Sequence, residues 1–268
     1  VISEAFWKPY AADKVHSMYS VSKSWTSTAI GFAVAEKRLT VQDKVLSFFP
    51  EYADLKDKPF LQDLRVQDLL TMSVGHDKEP LRSVIVMQPD WIRGFLNHPI
   101  VAKPGTKFLY NTLATYMLSA IIQKVTGRSL SDEFTERVWQ RVGADYDATW
   151  NVDHKGGHEK AFCCFNATAR DYARVGQALM TGSPAIASAS WKKRLSEPAV
   201  TLDYGWGYSA QMWHPYPGIN LMLGLHGQYI YQDALHDTVI VKLSDIPTSS
   251  DGISVKIAAV LKEISEKN

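Results

Sequence analysis

From about Tyr204 onward the chain breaks into short apolar or alternating runs, at 207–213, 221–224, 228–232 and 238–243, separated by Pro-Gly, Gly and Asp turn signals. Runs of this length with this punctuation predict an antiparallel meander. The run 254–263 then reads as a closing amphipathic helix. At the other end, residues 1–7 are apolar and β-branched enough for a strand, which Lys8-Pro9-Tyr10 stops. The middle is helical in texture. The run 20–37 sets Trp25, Ala29, Ile30, Ala33 and Val34 at helical spacing, and 66–73 is a second helix ending at Gly75. A third, 110–125, carries Leu113, Tyr116, Met117, Ala120, Ile121 and Val125 on one face and stops at Gly127; a fourth spans 166–180. This order predicts an α/β (α+β) fold in a single domain over 1–268. Its antiparallel sheet is built from both chain ends (1–15 and 200–268), flanked by helices, with a mainly helical lobe over 16–199 inserted between them.

With 268 residues, 46% of them apolar, the chain can bury a large core. A formal charge of +1 gives no field suited to nucleic acid or an anionic membrane surface, and neither is expected as a partner. No apolar run reaches the roughly 18 to 20 residues of a membrane span, since Ser, Thr, Glu and Lys interrupt even the stretch from Trp25 to Val34. The two cysteines, Cys163 and Cys164, are adjacent, and a bridge between neighbours is strained. They read as small reduced side chains, which leans toward a cytoplasmic protein. A segment preceding Val1, and with it a periplasmic or secreted placement, stays open. His154 and His158 are four apart, but Gly156-Gly157 between them argues against a helix and no third ligand stands out. No metal and no cofactor are expected.

Ser20-Val21-Ser22-Lys23 is a Ser-x-x-Lys at a helix start. The three-residue spacing puts hydroxyl and amine on one face, where a neutral amine accepts the hydroxyl proton. Burial and the positive end of a helix lower a lysine pKa, and free N–H groups in the first turn favour an oxyanion. About one such match arises by chance in a chain of this composition, and Ser190-Trp191-Lys192-Lys193 is a second. The first is preferred because it opens an apolar helix, whereas the second lies in a Lys-Lys-Arg stretch; read alone, Ser20 is also a plausible helix cap. A second element is Lys103-Pro104-Gly105-Thr106-Lys107-Phe108-Leu109-Tyr110-Asn111-Thr112, which brings a tyrosine to the head of an apolar helix. Beside an ammonium its phenol pKa is expected to fall far enough for proton shuttling. The third is Gly224-Leu225-His226-Gly227-Gln228, a strand whose small residue lets a substrate lie along its edge. Taken singly, Tyr110 and His226 read as core residues. Trp206, Tyr208, Trp213 and Tyr216 are candidates for an aromatic pocket near these strands, and His76-Asp77 stands in a loop that can reach a cleft.

In this order, the three elements resemble the serine β-lactamase and penicillin-binding-protein superfamily, and within it the class C β-lactamases, family VIII carboxylesterases and 6-aminohexanoate-dimer hydrolases. Leu39-Thr40-Val41-Gln42-Asp43-Lys44-Val45 and Val125-Thr126-Gly127 resemble family text in the same order. The resemblance implies that Ser20 is acylated, that Lys23 and Tyr110 exchange its proton, and that the N–H groups of Ser20 and Gln228 form the oxyanion hole. It casts Asn111, His226 and Gly227 as substrate contacts. Three departures stand out: the asparagine of Tyr-x-Asn comes one position early, at Asn111; Leu225-His226-Gly227 replaces Lys-Thr-Gly; and the helix and strand that the resembled fold normally has ahead of the strand expected at 1–7 are either not covered or absent, leaving the sheet without an edge. The expected activity is that of a serine hydrolase, an esterase or amidase acting on small-molecule substrates through an acyl-enzyme. A β-lactamase or D-alanyl-D-alanine peptidase is disfavoured by the missing lysine at 225. An idle penicillin-binding-like recognition module is disfavoured by the presence of Ser20, Lys23 and Tyr110 together.

Overall fold

The computed structural model describes residues 1–182, 186–245 and 251–267. Strand β1 (His16–Ser17) leads through a 3₁₀ turn (Tyr19–Val21) into helix α1 (Ser22–Ala35). Helices α2 (Val66–Leu70), α3 (Leu81–Met87), α4 (Trp91–Asn97), α5 (Thr112–Thr126) and α6 (Leu130–Phe134) follow, then β2 (Thr149–Trp150), β3 (Phe165–Ala167), α7 (Ala169–Thr181) and α8 (Ala189–Ser196). Strands β4 (Val200–Thr201), β5 (Gly207–Tyr208), β6 (Trp213–His214), β7 (Ile219–Gly224), β8 (Gln228–Asp233) and β9 (Thr238–Lys242) precede helix α9 (Asp251–Ser265).

β4 to β9 form one antiparallel sheet in chain order, the meander that the turn signals predict. Because side chains alternate along a strand, each face has its own core. Met222, Ile230, Val239 and Val241 belong to the large core shared with the helical region, where α7 lies over β8 and β9. Leu221, Leu223, Tyr229, Tyr231 and Ile240 form a smaller core with Ala258 and Leu261 of α9. Gly176 of α7 makes close packing possible on the first face, since a Cβ there would stand 2.9 Å from Ile230 and 3.0 Å from Val239. A second, three-stranded sheet, ordered β1-β3-β2, braces the entry to α1.

α1 sits at the centre, buried from Ser22 through Gly31. Several of its buried side chains are hydroxyls, which would cost about 1–3 kcal/mol each if left unpaired. Ser24 donates to the Gln211 carbonyl at 2.6 Å, Thr26 to that of Ala161 at 3.0 Å, and Thr28 back to Ser24 at 2.9 Å. Gly31 leaves space for Trp191 of α8, whose indole lies 2.5 Å from where a Cβ would be. Helix α5 beside it ends at the expected Gly127, left-handed there, and starts two residues later than expected, with Asn111 as its cap.

Three expectations are corrected. Residues 1–7 pair with no strand and are exposed, so every strand of the large sheet comes from Val200 onward. A strand needs a partner edge, and this stretch is held instead from the helical side, where Arg170 of α7 donates to Glu4 at 2.9 Å. Cys163 and Cys164, read as reduced, are joined in a disulfide. The predicted 207–213 strand is two strands, split where Gln211 turns to a left-handed φ of 64°. Its side-chain amide there donates to the Leu69 and Leu70 carbonyls at 3.0 and 2.8 Å.

Candidate active site

Ser20 lies in the 3₁₀ turn just ahead of α1, and Lys23 is the second residue of the helix. The single turn between them brings Lys23 Nζ to 2.8 Å from Ser20 Oγ. Tyr19, immediately before the nucleophile candidate, has φ 45°, a left-handed conformation unusual for a bulky residue. His226 packs edge-on against its ring with centroids 5.2 Å apart. Lys23 is 2% exposed, while Ser20 is half-buried and reachable. The second hydrogen bond of the amine goes to the Phe162 carbonyl at 3.0 Å. Both partners are neutral. Burial therefore pushes the lysine pKa down to about 7, against the opposing pull of the Glu79 carboxylate.

Tyr110 closes the group from the residue before the α5 cap. Lys23 Nζ stands 4.9 Å from the centre of its ring, and its hydroxyl is turned toward Ser20. The ring stacks on Trp213 at 5.5 Å, and Tyr208 meets Trp213 edge-on at 4.8 Å. Of the four aromatic residues singled out, Tyr208 and Trp213 thus abut Tyr110, whereas Tyr216 lies under Lys262 of α9. The phenol departs from expectation: burial raises its pKa, more than the Ser20 hydrogen bond lowers it. It is a neutral O–H donor at neutral pH.

The closing strands reach the nucleophile through Gly224. A Cβ there would lie 2.2 Å from the Met18 carbonyl oxygen, so only glycine lets β7 approach this closely. His226 and Gly227 form the β7–β8 turn with φ of 63° and 82°. Gln228 is buried at the start of β8, and its side chain joins Ser244, accepting from the Ser244 N–H at 2.9 Å. Only its backbone is left for a role at the site. Asn111 points elsewhere: its oxygen accepts from the Ala114 N–H at 3.3 Å, and its amide nitrogen lies 3.0 Å from His76 Nδ1. It caps a helix and holds a buried histidine.

Three contributors carried no motif. The Phe162 carbonyl is a main-chain atom from a distant turn, invisible to residue-type reasoning. Glu79 sits in the loop noted for His76-Asp77, and its Oε1 accepts the Thr112 N–H at 2.7 Å. Lys242 extends its ammonium to the Gly227 carbonyl at 3.1 Å. It lies opposite Tyr229 in the register, on the sheet face covered by α9. Among the described residues, no group of three or more His, Cys, Asp or Glu is placed to hold a metal ion.

A model of the β-lactamase family matches residues 1–262. The chain belongs to the β-lactamase family. Like the enzymes around it in that family it is a serine hydrolase. A 6-aminohexanoate-dimer hydrolase of Paenarthrobacter ureafaciens is 28% identical over 280 residues, covering 92% of this chain and 70% of that protein. The structure of a putative 6-aminohexanoate-dimer hydrolase from Bacillus anthracis superposes with a TM-score of 0.84 at 26% identity, over 99% of this chain and 76% of that one. EstCE1, a hydrolase with promiscuous acyltransferase activity, shares the fold at a TM-score of 0.74 and 18% identity, over 94% and 84% of the two chains. In this family member no described helix is long and apolar enough to cross a membrane.

Proposed function

We propose that this enzyme hydrolyses small neutral esters or amides through an acyl-enzyme on Ser20, with Lys23 as the base and Tyr110 as the proton donor to the leaving group. The observation that carries this reading is the buried Lys23 amine, 2.8 Å from a reachable serine hydroxyl and with a pKa near 7. An amine of that basicity is substantially neutral at physiological pH, so it accepts the Ser20 proton as the oxygen attacks the substrate carbonyl. The resulting oxyanion lies toward the N–H groups of Ser20 and Gln228, where donors fixed in a dry site stabilise it more than water does. Tyr110, a neutral phenol touching Ser20, gives its proton to the departing oxygen or nitrogen and regains one from Lys23. Water activated by the same pair then releases the acyl group.

A fluorophosphonate probe tests the assignment. One serine is expected to be labelled, in the peptide containing Ser20, and labelling is expected to vanish in Ser20→Ala. Modification at Ser190, or undiminished labelling of the alanine variant, overturns it.

A further inference from the structure

The loop after α2 has a closely determined path. At Gly75 (φ 93°) a Cβ would fall 2.2 Å from the Ala102 carbonyl oxygen, and His76 beyond it is buried against Asn111. Glu79 comes next to Pro80, which restricts it to extended backbone. Its side chain is exposed, yet one oxygen is fixed on the Thr112 N–H at 2.7 Å. Thr112 lies two residues from Tyr110, so their Cα atoms are at most about 7.6 Å apart. The carboxylate is thereby anchored at the rim of the Ser20, Lys23 and Tyr110 group.

Lys23 is faced by Ser20 from its own segment and Tyr110 from the approach to α5, and the Glu79 carboxylate on this loop pulls its pKa upward from the rim. Tyr110 is faced in addition by Tyr208 of β5, and His226 of the β7–β8 turn faces Tyr19. The turn at Phe162 presents a neutral carbonyl, and Trp213 of β6 an indole. Among these described neighbours, Glu79 is the one acidic side chain, and its charge pulls the pKa of both Lys23 and Tyr110 upward.

We propose that Glu79 is a positioning residue for acylation: held on the Thr112 N–H, its carboxylate keeps a fixed negative charge at the rim of the Ser20, Lys23 and Tyr110 group and stabilises the ammonium formed when Lys23 takes the Ser20 proton. This rests on the reading of Ser20 as nucleophile and Lys23 as base. In that step the Ser20 O–H bond breaks and an N–H bond forms on Lys23, while the oxygen electron pair attacks the carbonyl carbon. The lysine passes from neutral to cationic. A charge that is uniform through the step would change nothing, whereas one that meets a developing opposite charge lowers the barrier. The same carboxylate favours the resting ammonium, so removing it has two linked effects of opposite value: a lower plateau rate, and a base that is already neutral at lower pH.

The test compares Glu79→Gln, Glu79→Asp and Glu79→Ala with the parent enzyme between pH 5 and 9 at low ionic strength. The readouts are the rate of Ser20 labelling by a fluorophosphonate, and kcat and KM for p-nitrophenyl butyrate. Glutamine retains an oxygen for the Thr112 N–H and loses the charge. Since exposed charges are screened, the expected effect in Glu79→Gln is a plateau about three- to tenfold lower and an acid limb displaced by roughly half a unit to lower pH. Glu79→Asp is expected to keep the parent limb. In molar salt the parent profile is expected to move toward that of Glu79→Gln. A parent-like profile in Glu79→Gln overturns the proposal. So does a loss confined to Glu79→Ala with the limb unmoved, which would make the loop hydrogen bond the whole of its role. Ser20→Ala run alongside separates the two readings: residual turnover there would refute the nucleophile, while a dead Ser20→Ala with a parent-like Glu79→Gln would refute Glu79 alone.

Discussion

Each unit of lowered pKa at Lys23 corresponds to about 1.4 kcal/mol by which its surroundings favour the neutral amine, and burial outweighs the pull of Glu79. The consequence is a base present above its pKa and absent below it. kcat/KM is therefore expected to rise as pH climbs through about 7, falling about tenfold per unit on the acid side. A profile that is flat between pH 6 and pH 8 would show that another group takes the proton. Lys23→Ala and Tyr110→Phe are each expected to lower kcat by roughly a hundredfold or more, within the range of about 10² to 10⁴ for general acid–base catalysis. The two differ in one respect. Tyr110, whose pKa is raised by burial, contributes no limb near neutrality, so Tyr110→Phe keeps the acid limb while Lys23→Ala loses it. Effects confined to KM in both would make them binding residues.

The elements that deliver these side chains explain what sequence could reveal. Helices α1, α5 and α7 and the meander β5 to β9 were legible because each repeats its burial pattern over enough residues, or is bounded by turn signals. Helices α3 and α4, at seven residues each, span under two turns, and β1 and β2 are two residues long; no period can show in so little chain. The site divides in the same way. Ser20 and Lys23 are one helical turn apart and Tyr110 sits at a helix head, so local spacing announces them. Asn111, by contrast, is directed by His76, and the Phe162 carbonyl and Glu79 arrive only through tertiary contacts. The seam between β7 and the turn carrying Ser20 offers a test at this scale. Alanine at Gly224 would meet a main-chain oxygen, which cannot swing aside as a side chain does. Gly224→Ala is expected to cost about 1–3 kcal/mol of stability and at least tenfold in kcat, roughly the effect of misplacing a reacting group by a fraction of an ångström. Urea denaturation and kcat on one preparation check both; retained kcat would mean that the seam does not position Ser20.

For the molecule as a whole, the distribution of charge around the site decides which substrates it admits. Leu225, 55% exposed at the turn tip, supplies no cation. Lys242 directs its ammonium to the Gly227 carbonyl from the face under α9, and Glu79 adds a negative charge at the rim. Hydrogen bonds to charged groups contribute about 1.5–3 kcal/mol, a factor of roughly ten to more than a hundred. Neutral p-nitrophenyl butyrate is accordingly expected to exceed an anionic chromogenic cephalosporin by at least about a hundredfold in kcat/KM at pH 8. Comparable values would identify a cation serving the carboxylate from elsewhere. The central position of α1 carries a last implication, for the time at which the enzyme becomes reactive during its synthesis. Ser20 and Lys23 leave the ribosome well before the groups that cover α1 and its amine, since the Phe162 carbonyl lies 139 residues beyond Lys23 and the Gln211 carbonyl 187 beyond Ser24. Until they arrive the lysine stands in water as an ordinary ammonium, unable to take a proton from serine. The nascent chain thus carries its nucleophile in a latent form, and acquires its chemistry only once these later segments have been made.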